Sequence, residues 1–221
     1  MKKVSERAEY GFKLCYTVSV PVIVAMIAFA EPIYTLLGYG NKNYPLLMAA
    51  AGSVLLLGTM HLQSSILQGV NRMFTSSLFL CLCVVIKAVA NYFLVVIPGV
   101  NVYGAVIATY ISYLIPVLLN HYVITKKEGI KVSFLRIIYK PFTASVVMVI
   151  VALPVFLLLK FLTGLAGSGY LMMLVAFLPT VVVAVFVYFF VMRKMGALTN
   201  EELDEISPKI TRLLKKVHLI R

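Results

Sequence analysis

Six long apolar runs fix what this chain can become. They cover residues 12–37, 46–69, 73–97, 102–124, 142–162 and 170–192. Each is close to the roughly 20 residues that a helix needs to cross the hydrocarbon of a bilayer. Backbone N–H and C=O groups find no water there, so each run must satisfy them internally, and a helix does so by default. The breaks are short and polar or helix-breaking: Gly38 to Asn43, Asn71-Arg72, Pro98 to Asn101, a longer stretch at 125–141, and Thr163 to Gly169. Composition removes the soluble alternative. Apolar residues make up 62% of the chain and charged residues 13%, against about half and about a quarter in soluble domains. The sequence therefore predicts an all-α integral membrane protein of six transmembrane helices. Four helices lie in 12–124 and two in 142–192, with a basic loop at 125–141 and flanks at 1–11 and 193–221. No internal repeat and no low-complexity tract interrupts this plan.

The formal net charge is +12. In a soluble chain that balance would point to nucleic acid; here the basic residues sit in loops and tails, the pattern that sets membrane orientation. One side takes Lys2, Lys3, Arg7 and Lys13, then Arg72, then Lys126, Lys127, Lys131, Arg136 and Lys140, and finally the tail from Arg193 to Arg221. The other side has Lys42 and Lys160. The rich side is expected in the cytoplasm, which puts both termini inside a plasma membrane, and an even number of spans agrees. Ala28-Phe29-Ala30 has the form of a signal-peptide cleavage site. The run before it is too long for an h-region, and Glu6 and Glu9 precede it, so the segment reads as the first span.

Two polar stretches are amphipathic. Ser133 is placed to cap a short helix carrying Phe134, Leu135, Ile137 and Ile138, which is expected to end at Pro141. In the tail, Thr199 and Glu202 have capping-box spacing. Ile210, Leu213, Leu214 and Val217 then recur on one face beside Lys209, Arg212, Lys215 and Lys216. Such helices either lie on an anionic leaflet or pack on the protein's own loops.

Polar residues inside the runs are the candidates for function. Lys87 falls near the middle of the third run, where a lysine costs about 2.5–3.5 kcal/mol on insertion scales. Asn91 lies one turn on, shares its face and can bond the ammonium. Together they form a candidate anion site; the alternative is a lysine that snorkels or fixes packing. The second run carries His61, Ser64, Ser65 and Gln68 at helical spacing, with Asn71 and Arg72 beyond. That stripe either lines a hydrated path or glues helices together. Gly104, Ala108 and Ser112 form a small-residue row suited to close packing. Pro21 and Pro116 can kink their helices, and Glu31 reads as an interfacial acid. Cys81 and Cys83 point to different sides of one helix, so they read as small apolar residues and not as a metal pair. No nucleotide loop, zinc motif, paired carboxylate or nucleophile–histidine set is present, so neither enzyme activity nor a cofactor or metal is expected.

In order along the chain come Pro21, Glu31-Pro32-Ile33-Tyr34-Thr35-Leu36-Leu37-Gly38, Ile66-Leu67-Gln68-Gly69, Ile86-Lys87 with Asn91, and Tyr103-Gly104-Ala105 with Ala108-Thr109. Lys140-Pro141 with Ala144-Ser145 and the tail from Leu198 follow. This series resembles the C-terminal part of the stage V sporulation protein B family. Those are polysaccharide-biosynthesis proteins of the multidrug/oligosaccharidyl-lipid/polysaccharide (MATE-like) flippase superfamily. The resemblance implies helices nine to fourteen of a fourteen-helix, two-lobe bundle. It implies a transporter that flips lipid-linked oligosaccharides, precursors of peptidoglycan, spore envelope or polysaccharide, by alternating access. A cation-coupled multidrug exporter of the same superfamily and a non-transporting membrane scaffold are the rival readings. Lys87 and Asn91 would meet the diphosphate or line the cavity, with Gln68, His61, Ser64, Ser65 and Arg72 nearby. Since the cavity of such proteins lies between lobes, this chain would supply one wall. A separate N-terminal half, or self-association, is then expected beside the lipid-linked glycan.

Overall fold

A computed structural model describes residues 2–39, 43–130, 134–166 and 170–196. All regular structure among them is helical. The first span is α1 (Lys2–Ala28) followed by the short α2 (Ala30–Leu36). The second is α3 (Tyr44–Ala51) followed by α4 (Ser53–Gly69). Then come α5 (Met73–Val95) and α6 (Val102–Tyr122), the latter continued by a π-helical turn at Val123–Lys127. The last two are α7 (Phe134–Ala166) and α8 (Tyr170–Lys194). Six helical segments are long and apolar enough to cross a membrane. At 1.5 Å per residue, the 23 residues of α5 reach roughly 35 Å, enough for about 30 Å of hydrocarbon.

The structure corrects several sequence expectations. The first two spans are not single helices. The first breaks at Phe29 and the second at Gly52. At the second break the Tyr110 hydroxyl donates to the Ala49 carbonyl at 2.8 Å, and the Ser53 hydroxyl donates to the Ala50 carbonyl at 2.7 Å. A Cβ on residue 52 would lie 2.5 Å from the Tyr110 hydroxyl oxygen, so the ring keeps this place only beside a glycine and would otherwise have to shift. The basic loop also holds no separate helix ending at Pro141. From Phe134, α7 runs through both Pro141 and Pro154. Transmembrane helices tolerate proline where the packing around them holds the helix. Here the Ser145 hydroxyl also donates to the Pro141 carbonyl at 2.7 Å and the Thr143 hydroxyl to the Lys140 carbonyl at 2.9 Å, while the carbonyl that Pro141 leaves without a helical donor is that of Ile137. Ser133, Lys131 and the tail features at Thr199, Glu202 and 207–221 lie outside the described residues.

Helix neighbours run in the order α5, α6, α4, α1, α7, α8. Thus α1 joins a sub-bundle of α4, α5 and α6 to the pair α7–α8. Phe12, Tyr16 and Val20 of α1 pack against Leu55 and Leu62 of α4 on one side and Ile137 and Ile138 of α7 on the other. Tyr16 also bonds Thr59 of α4 across 3.2 Å. A second cluster gathers Ala8, Leu67, Val123, Ile124 and Ile130. A third gathers Phe29 with Ala144, Met148, Phe156 and Ala176. Lipid tails are as apolar as leucine, so small side chains that allow close backbone contact drive such packing. The Gly104, Ala108, Ser112 row is buried, and Pro116 and Asn120 extend it. At Gly104 the fit is tightest: a Cβ there would stand 2.5 Å from the Leu94 carbonyl oxygen of α5.

Two connections and the end of α8 lie at one end of the bundle. The α4–α5 turn closes with the Arg72 amide on the Leu67 carbonyl at 2.8 Å and Asn71 at φ 62°, a left-handed helix stop that asparagine tolerates. Arg72 Nε then bonds Glu128 Oε1 at 2.9 Å, tying this turn to the one after α6. Lys140 Nζ donates to the Gly196 carbonyl at 3.2 Å, tying the start of α7 to the end of α8. We call this the basic end; Arg7, Lys13, Lys126, Lys127, Arg193 and Lys194 belong to it.

Candidate functional site

The sub-bundle of α4, α5 and α6 forms a cleft of about 520 Å³ that holds Lys87, Asn91, His61 and Tyr113 among apolar residues such as Leu57, Met60 and Val84. Each polar group arrives by helical register. On α5, Lys87 and Asn91 stand one turn apart and share a face. Cys83, a further turn back, is buried while Cys81 is exposed, so the two thiols do point apart. His61 comes from α4. Tyr113 comes from α6, which Gly104 lets approach α5 closely.

Lys87 is half-buried. Its Nζ lies 5.5 Å from the centroid of the Tyr113 ring. A lysine over a tyrosine face gains about 0.5–2 kcal/mol, more as water is excluded, which offsets part of the cost of its depth. The expected bond from Asn91 to the ammonium is not made: Asn91 Oδ1 is buried and has no hydrogen-bond partner. Tyr113 takes its place, because a ring on the neighbouring helix faces the lysine head. Asn91 keeps its amide available to something entering the cleft.

The second-span stripe does not act as one surface. Of its members only His61 lines the Lys87 cleft. Ser64 is buried at the α5 crossing, where its carbonyl accepts from the Ser76 hydroxyl at 3.2 Å. Gln68 Nε2 donates to Ser76 at 3.4 Å. Ser65 bonds the His61 carbonyl and lines a separate hollow of about 310 Å³ beside Arg7 of α1. Arg72 is engaged with Glu128 at the basic end. The spacing of three and four residues covers a wide arc of the helix, and α1, α5 and α6 each occupy part of its surroundings.

Two amides were not singled out by sequence. Gln63 and Asn120 are 1% and 0% exposed, and neither side-chain oxygen nor nitrogen has a hydrogen-bond partner. An unpaired buried polar group costs about 1–3 kcal/mol. Asn120 continues the 104–108–112–116 row, so its burial could have been read from that register. Gln63 gave no such signal. Among the described residues no group of three histidine, cysteine or acidic side chains is placed to hold a metal.

The fold and cleft define an all-helical chain with six helices able to cross a membrane. Comparison with protein-family models, with curated proteins and with solved structures finds no match to this chain.

Proposed function

We propose that this chain is one wall of a membrane transporter that flips lipid-linked oligosaccharides by alternating access, with the Lys87 cleft meeting the anionic diphosphate. The observation that carries this reading is a lysine held over Tyr113 in an open mid-span cleft, beside an amide whose oxygen is unpaired. Intramembrane cations of this kind usually serve substrates or pathways. The order of motifs resembling the sporulation flippase family supports the substrate class. The basic end would face the cytoplasm of a plasma-membrane protein. Transport of this type makes and breaks no covalent bond, so the chain would act without enzyme chemistry. A polar headgroup needs a shielded path, and transporters build one between two opposed repeats. The open side of the cleft would therefore be covered by a separate N-terminal half or by a second copy.

The test replaces Lys87 by alanine. Insertion should persist, because it becomes easier without the charge, while flipping by the assembled transporter should fall at least tenfold. Full complementation of a flippase-deficient strain by Lys87→Ala would overturn the anion site. Robust flipping in liposomes by a proven monomer would overturn the need for a second wall.

A further inference from the structure

Away from the Lys87 cleft, α1 and α8 are separated by two cavities that meet at one residue. The first, about 330 Å³, opens at the basic end and is polar: Glu6, Glu9, Tyr10, Lys13 and Lys140 line it. The second, about 320 Å³, lies deeper and is apolar, with Val18, Val22, Phe29, Phe177 and Ala184 on its walls. Thr17 lines both. It is 1% exposed, and its Oγ1 has no hydrogen-bond partner.

The contact that closes this junction has a chemical cause. Pro21 lies one turn after Thr17 in α1. Its nitrogen has no hydrogen, and its ring presses on the carbonyl four residues back. The Thr17 carbonyl therefore has no helical donor. Tyr188 of α8, 2% exposed, donates its hydroxyl to that oxygen at 2.7 Å. A buried carbonyl in a membrane span must find a partner, so the bond is strongly favoured while α1 and α8 stay together. Elsewhere α8 rests mainly on α7.

We infer that the Tyr188–Thr17 bond is a latch on the α1–α8 seam, with Pro21 as its hinge. Closed, it separates a polar vestibule from an apolar cleft. Open, it joins them into one passage that is charged at the basic end and apolar at depth. The inference stands apart from the anion site, since none of its residues lines the Lys87 cleft.

The test is the rate at which a buried cysteine is labelled from water. In the full chain, with Cys15, Cys81 and Cys83 changed to alanine, Ala184→Cys places a thiol on the apolar cleft. The protein is held in lipid nanodiscs and treated with a positively charged, membrane-impermeant methanethiosulfonate. Lipid blocks the side route, so the reagent must come through the vestibule. With Tyr188 present, labelling should be slow. Tyr188→Phe removes one buried hydrogen bond and should speed it about three- to tenfold. Thr17→Val keeps the carbonyl bond and should leave the rate unchanged. An unchanged rate in Tyr188→Phe, or equal acceleration by Thr17→Val, would overturn the latch. Should Tyr188→Phe fail to fold, Pro21→Ala decides. It gives the Thr17 carbonyl a helical donor, so parting Tyr188 from it no longer leaves that oxygen unpaired; labelling should speed, and an unchanged rate counts against the inference.

Discussion

The ammonium of Lys87 on α5 stands 5.5 Å from the ring centroid of Tyr113 on α6, so the most costly side chain of the third span is held by a neighbour on the fourth. The ring face, not the hydroxyl, makes this contact. Tyr113→Phe should therefore keep the thermal midpoint in detergent, whereas Tyr113→Leu should lose about 0.5–2 kcal/mol. In a Lys87→Met background the cost of Tyr113→Leu should shrink, because the coupled partner is gone. A cost that stays the same in both backgrounds would mean that the ring serves packing alone.

Gly104 tests how closely α5 and α6 are pressed. Alanine in place of glycine usually favours a helix by up to about 1 kcal/mol. Here the added carbon would stand 2.5 Å from the Leu94 carbonyl oxygen and 2.6 Å from its carbon, and backbone cannot step aside as a flexible side chain can. Overpacking of this kind costs about 1–3 kcal/mol, so the clash should win. Gly104→Ala is expected to lower the unfolding midpoint; a rise would show that the two helices have room to part.

Gln63 and Asn120 should respond in the opposite sense. Leucine is close to each in size and has no polar atom to leave unpaired. Gln63→Leu and Asn120→Leu are each expected to hold or raise stability, by about 1 kcal/mol. Thermal unfolding of the purified chain would check this. A clear fall for either would mean that its amide has a bonded partner in the membrane.

Orientation can be read with reporter fusions. The basic residues gather at the end where Arg72 meets Glu128 and Lys140 meets Gly196. Fusions at Thr125 and Asn200 should report the cytoplasm, and one at Asn43 the outside. A fusion at Asn200 that reports the outside would remove the six-span plan.

The spans were legible because burial in lipid demands unbroken apolar runs, and nothing else in the chain produces them. The breaks were not. Glu31-Pro32 just after Phe29 and Gly52-Ser53 are local breaking signals that the apolar runs carry straight through; at Gly52 the Tyr110 hydroxyl also reaches across from α6 to the Ala49 carbonyl. Pro141 misled in the other direction, since a local rule ends a helix that in fact runs on through it. Lys87, Asn91 and His61 were found from depth and register, and they share one cleft. Tyr113 was invisible because its role depends on which helices become neighbours. Ser65, Gln68 and Arg72 looked like companions of His61 only while the surroundings of α4 were unknown.

The wedge of Tyr110 into the second span makes what can stand at position 52 depend on a distant residue. A side chain at position 52 would meet the hydroxyl that satisfies Ala49, so position 52 cannot gain one while the ring keeps its place. A chain that loses the glycine must move or shorten the ring, and the Ala49 carbonyl then loses the donor Tyr110 gives it. A change at position 52 should therefore come only with a change at 110, whereas 110 is free to change while the glycine stays.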